Sequence, residues 1–72
     1  MNNLNVAKIQ LNGNPYEINS GTNLSKLLNM LKIQKNKVAI EVNGEIIEKK
    51  KYLNLVLNKG DKVEIVHFIG GG

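Results

Sequence analysis

Gly60-Asp61-Lys62-Val63-Glu64-Ile65-Val66-His67-Phe68-Ile69-Gly70-Gly71-Gly72 reads as a turn, a strand and then bare backbone. Lys59-Gly60-Asp61 makes the turn, and from Lys62 the side chains alternate at period two, the mark of a half-buried strand. With Val63 and Ile65 directed into a core, Glu64, Val66 and Phe68 are directed away from it. Val66 and Phe68 then form an exposed apolar pair beside the glycines, a candidate anchor for a partner. The alternative is a twist that tucks Phe68 into the core edge.

Upstream, Lys49 to Asn58 is irregular, with Tyr52, Leu53, Leu55 and Leu57 expected to supply core contacts. Val38, Ile40 and Val42 alternate with Ala39, Glu41 and Asn43, which predicts another strand. Asn43-Gly44 turns it back into a short strand at Glu45-Ile46-Ile47. Leu24, Leu27, Leu28 and Leu31 recur at helical spacing and give one apolar face. Thr22 is the expected N-cap, its hydroxyl oxygen placed to accept from a first-turn amide. Near the N-terminus, Ala7 to Leu11 and Tyr16 to Ile18 flank Asn12-Gly13-Asn14-Pro15, a strong hairpin signal.

The order is hairpin, helix, strand, short strand, irregular crossing, strand. A helix with one apolar stripe needs one sheet face to cover it, so the fold class is α+β. A mixed four- to five-stranded sheet gripping one main helix, the ubiquitin-like β-grasp, fits this order. Residues 1–72 are expected to form one domain, with residues 1–5 a loose N-terminus and residues 70–72 a mobile glycine tail.

Composition narrows the function. A chain of 72 residues buries only about 60% of its unfolded surface, which leaves little material for a deep catalytic cleft. Without cysteine there is no thiolate nucleophile, disulfide or thiolate metal site. The single histidine, His67, cannot build a multi-histidine metal site, and is read as a partly buried structural residue. The net charge of +4 comes from ten lysines with no arginine, whereas nucleic-acid readers lean on arginine forks. Lys49-Lys50-Lys51 reads as a solvated loop, and Tyr16, Tyr52 and Phe68 make no stacking platform. No segment approaches the roughly 20 apolar residues of a membrane span, and residues 1–5 lack the features of a signal peptide. A cytoplasmic protein with neither a membrane nor a nucleic-acid partner is the expectation.

The tail is where chemistry can reside. Glycines can thread a channel too narrow for a Cβ atom, and residues 67–72, fully extended, reach about 20 Å at roughly 3.3 Å each. A carboxylate on Gly72 could enter another protein's active site while the folded body stays outside. Such a carboxylate is a poor electrophile until joined to a leaving group such as AMP.

These segments resemble the ThiS family of sulfur carriers in thiamine biosynthesis. The resemblance is carried by Gly21-Thr22-Asn23-Leu24 with Leu27-Leu28, by Val38 to Ile47, and above all by Gly60 to Gly72, in the family's order from Ile9 onward. It implies that the Gly72 carboxylate is adenylated by an E1-like adenylyltransferase using ATP and magnesium. A persulfide donor, a cysteine desulfurase or rhodanese-like protein, then converts it to a thiocarboxylate. That group delivers sulfur to thiazole synthase as the thiazole ring forms. In this scheme Gly70, Gly71 and Gly72 thread the partner's active site, Val66 and Phe68 dock it, and the chain itself is no enzyme and binds no cofactor or metal. The extra N-terminal residues and the lysines at 49–51 depart from the family pattern, and neither departure touches the tail.

Four alternatives use the same residues differently, one of them a thiocarboxylate carrier for another pathway such as tRNA thiolation or amino-acid synthesis. The small subunit of molybdopterin synthase shares fold, tail and thiocarboxylate, but tends to be longer and to reach its tail through a proline-containing segment, which Val66-His67-Phe68-Ile69 is not. An RNA-binding β-grasp module would show salt-dependent RNA affinity and indifference to loss of the last glycines. A modifier conjugated to lysines of target proteins would use the tail in the same way as a carrier.

Overall fold

The computed structural model describes residues 5–69. Five strands and one α-helix follow the expected order: β1 (Val6–Leu11), β2 (Asn14–Asn19), α1 (Leu24–Leu31), β3 (Val38–Val42), β4 (Glu45–Ile46) and β5 (Lys62–His67). Single 3₁₀ turns at Lys35–Lys37 and Lys49–Lys51 fill the connections. The sheet order is β2-β1-β5-β3-β4, so the last strand lies at the centre. β5 runs parallel to β1 and antiparallel to β3, and the sheet is therefore mixed.

Both hairpins turn on an Asn-Gly pair in left-handed backbone, φ 48° and 84° at Asn12-Gly13 and 53° and 88° at Asn43-Gly44. Positive φ at both central residues matches the right-handed twist of the flanking strands. Each asparagine also acts at a distance. Asn12 Nδ2 donates to the Ile65 carbonyl at 3.1 Å, and the Ile65 N–H donates to Asn12 Oδ1 at 2.7 Å. Asn43 Oδ1 accepts from the Lys62 N–H at 2.9 Å, and its Nδ2 donates to Asp61 Oδ1 at 3.0 Å. The two turn residues thus grip β5 from opposite sides.

Helix α1 lays Leu24, Leu27 and Leu28 on the sheet, all buried, against Ile9, Ile18, Val38, Ile40, Val63 and Ile65. Leu31 packs at the margin. Burial of each such side chain stabilises the fold by about 1.5–3 kcal/mol. The helix ends at Lys32, in left-handed backbone with φ 60°, and the Ile33 N–H bonds back to the Leu28 carbonyl at 2.9 Å. This is a Schellman closure on a non-glycine residue.

Four expectations need correction. The N-cap is Asn23, whose Oδ1 accepts from the Lys26 N–H at 2.7 Å, and not Thr22. Thr22 is buried one residue earlier, where its hydroxyl donates to the Asn19 carbonyl at 2.6 Å and its carbonyl accepts from Leu57. The extended crossing pairs there, Asn23 with Val56, and that pairing turns the threonine inward. Leu53 points to solvent, while Tyr52 and Leu57 are buried and Leu55 packs against the core. The 3₁₀ turn explains this, because it brings one side chain inward and sends the next out. His67 is exposed rather than partly buried. Of the expected loose N-terminus, residues 1–4 lie outside the described residues, while Asn5 has a carbonyl that accepts from the Ser20 N–H at 2.8 Å and so is tied to the end of β2.

Among the described residues no helix is long and apolar enough to cross a membrane.

Candidate functional site

The fold delivers the end of β5 to the molecular surface. Along β5 the side chains alternate as the pattern requires: Val63 and Ile65 are buried, Glu64 and Val66 are not. Pairing with β3 runs through Val38 opposite His67, and the Phe68 N–H still donates to the Lys37 carbonyl at 3.0 Å. The chain is therefore held to the sheet through Phe68. Beyond it, Ile69 is 98% exposed and leads directly to Gly70.

Val66 and Phe68 are each 57% exposed, which rules out the twist that would have tucked Phe68 into the core edge. The Lys49 ammonium sits over the Phe68 ring, 5.7 Å from its centroid. At an exposed site such a contact contributes about 0.5–1 kcal/mol, enough to bias the ring's position without burying it. The lysine run therefore borders the tail root, with Lys50 and Lys51 both near Glu48 at 3.9 Å. Sequence reasoning set this run aside as a solvated loop; the chain path alone brings it to Phe68.

A further apolar residue joins this face. Ile46 on β4 is 73% exposed and lies opposite Glu41 of β3. Ala39 lies opposite Val66, and Glu41 opposite Glu64. Val66, Ala39, Ile46 and the two glutamates thus share the sheet face turned away from α1. Periodicity marked Val66; Ile46 was missed because its strand of two residues is too short to show a period.

The concavities do not compete with this surface. One, about 670 Å³, is an open groove between the end of α1 and residues 33–36, lined by Ser25, Leu28, Asn29, Lys32 and Lys35. It gathers no acid, histidine or nucleophile pair. Among the described residues no group of three His, Asp or Glu side chains is placed to hold a metal ion. Burial pushes the Tyr52 phenol above its ordinary range. Tyr52 belongs to the core. Gly70, Gly71 and Gly72, expected to thread a partner's active site, lie outside the described residues, as does the expected tail motion.

Comparison with known proteins bears on the same region. A family model described as the ThiS family matches residues 9–72. The sulfur carrier protein ThiS of Bacillus subtilis is 39% identical over 66 residues, covering 89% of this chain and 98% of that one. A thiazole synthase of Magnetococcus marinus is 45% identical over 65 residues, which span 90% of this chain but only 20% of that protein. The crystal structure of a thiamine biosynthesis protein (ThiS) from Geobacter metallireducens superimposes with a TM-score of 0.79 at 34% identity, covering 90% of this chain and 99% of that one.

Proposed function

This chain belongs to the ThiS family, and on that premise we propose that it is the sulfur carrier of thiamine biosynthesis, with Gly72 bearing the reactive acyl group. The single observation behind this reading is the path of β5: a central strand, pinned through Phe68, that opens at an exposed Ile69 into three glycines. The chain is a co-substrate and not a catalyst, since the acyl carbon is its contribution and the activating groups belong to partners.

In the proposed sequence, a Gly72 carboxylate oxygen attacks the α-phosphorus of ATP on an E1-like adenylyltransferase, and magnesium pyrophosphate leaves. The terminal sulfur of a persulfide donor attacks the acyl carbon and expels AMP. A thiol then cleaves the resulting acyl disulfide, leaving a thiocarboxylate on Gly72 and a disulfide on the donor side. Thiazole synthase receives the sulfur. The ATP and magnesium are the activating enzyme's, and the carrier needs no bound cofactor of its own. Val66 and Phe68 dock the body while Gly70 and Gly71 cross the partner's wall. A cytoplasmic location is part of the same proposal.

Reconstitution tests the reading. The full chain, the activating enzyme, ATP, magnesium, a persulfide source and thiazole synthase should together form thiazole product. A chain lacking Gly71 and Gly72 should form none while keeping the same unfolding midpoint. Equal product from the truncated chain would remove the tail from the mechanism.

A further inference from the structure

Of the ten lysines, one is set beside the root of the tail. The Lys49 ammonium lies 5.7 Å from the centroid of the Phe68 ring. Among the described residues Phe68 is also where the backbone is last held to the sheet, through its bond to the Lys37 carbonyl. The neighbours of Lys49 in the run are drawn elsewhere. Lys50 and Lys51 both turn to the Glu48 carboxylate at 3.9 Å, whereas Lys49 makes no ion pair among the described residues. The 3₁₀ turn over Lys49–Lys51 fans the three side chains apart, so one can face the ring while the others face the acid. Several other lysines are out of range. Lys62 opens β5 and lies about 20 Å of strand from Phe68. Lys8 and Lys59 sit at that same far end, where the Gly60 N–H donates to the Lys8 carbonyl at 2.9 Å.

Chain length sets what the Lys49 amine can meet. Residues 69–72 span at most about 13 Å, at roughly 3.3 Å each. A glycine-rich run of four residues has a mean end-to-end distance of about 11 Å. A terminal carbonyl four residues beyond Phe68 therefore has Lys49 within its reach, and three glycines permit a chain reversal that bulkier residues would resist. So short a connection gives an effective concentration in the millimolar range, about a hundredfold or more above that of dilute protein in solution. The ring contact is weak and exposed, so it keeps the amine near without withholding it from reaction.

We propose that Lys49 is a modification site, the amine that captures the activated tail when no persulfide arrives. The inference rests on the carrier reading and adds to it a fate for the acyl adenylate that leaves the activating enzyme without sulfur. Lys49 Nζ, having shed one proton to solvent, attacks the Gly72 acyl carbon. A C–N bond forms, the C–O bond to AMP breaks, AMP departs with the electron pair, and a second proton passes from the nitrogen to solvent. The product is an isopeptide bond that closes a loop over residues 49–72. An amide is a far poorer acyl donor than an adenylate, so the closed chain takes up no sulfur and leaves the carrier pool.

The test is the intact mass of the full chain after incubation with the activating enzyme, ATP and magnesium, with persulfide left out and pyrophosphate release followed in parallel. The expected product is lighter by one water, and fragmentation joins Gly72 to Lys49. Its yield per pyrophosphate released should not change when the carrier is diluted, as closure within one chain requires. Lys49→Arg keeps a cation over Phe68 but offers no neutral amine. It should release pyrophosphate as the wild type does and lose the light species by about tenfold or more. Lys62→Arg should keep both. Pyrophosphate release with no light species overturns the capture and leaves the carrier reading standing. A light species undiminished in Lys49→Arg, joined at another lysine, or falling with dilution overturns Lys49 as the internal acceptor. No pyrophosphate release from the wild-type chain, with the enzyme active on its own cognate carrier, overturns both.

Discussion

The two faces of the β3–β5 pair are built from the same ten or so residues and obey opposite rules. On one face Val38, Ile40, Val42, Val63 and Ile65 are buried beneath α1. On the other, Ala39, Glu41, Glu64 and Val66 leave apolar surface and like charge exposed together. The inner face lowers the free energy of the fold at every position. The outer face raises it at some, where Glu41 and Glu64 stand opposite each other. Alternation at period two lets one strand satisfy both demands, because neighbours in sequence never share a face.

Substitution sharpens the contrast. Leu27→Ala, on the helix face that covers the inner side, should cost about 2–5 kcal/mol. Domains of this size have total stabilities of only about 4–11 kcal/mol, so denaturant unfolding should show a large drop in midpoint or loss of the folded state. Asn12→Ala removes both side-chain bonds to Ile65 and leaves alanine in left-handed backbone. About 1–3 kcal/mol should be lost, read in the same experiment. An Asn12→Gly chain should recover the backbone part only.

A smaller effect depends on pH. Burial pushes the Tyr52 phenol above its ordinary value of 10.0, so the unfolded chain ionises first as the solution becomes more alkaline. The stabilising contribution is whole below about pH 10 and declines as pH rises through the folded-state value. Tyr52→Phe should flatten that part of the stability curve, measured by urea midpoints between neutral and strongly alkaline pH. Smallest in stability are Val66→Ala, expected within about 0.5 kcal/mol of wild type, and Phe68→Ala, which gives up the Lys49 contact and is expected to lose no more than about 1 kcal/mol. Their effect should appear in partner affinity instead, a loss of about tenfold or more for Phe68→Ala. A large destabilisation by either would erase the distinction between the faces.

Much of this division could be read from residue order. The leucine spacing in α1, the Asn-Gly turns and the alternation in Lys62 to Ile69 each report a local physical preference, and local preference survives folding here. Thr22 and Asn23 show where such reading ends. Both are good caps, and only the pairing of Asn23 with Val56, thirty-odd residues away, assigns the cap to one and burial to the other. The same holds for Lys49 over Phe68 and for Asn12 on Ile65, contacts that depend on the central position of β5. The opposition of Glu41 to Glu64 likewise exists only once strand order and register are set. Ile46 was passed over because a two-residue strand carries no periodicity of its own.

The central claim is that the tail carries sulfur on its terminal carbonyl. The most direct measurement is the intact mass of the full chain after incubation with its activating enzyme, ATP, magnesium and a persulfide source. A species heavier by the difference between sulfur and oxygen, located by fragmentation to Gly72 and absent when Gly72 is deleted, is the expected result. Only the unmodified carboxylate, under conditions in which the activating enzyme demonstrably consumes ATP with its own cognate carrier, would contradict it.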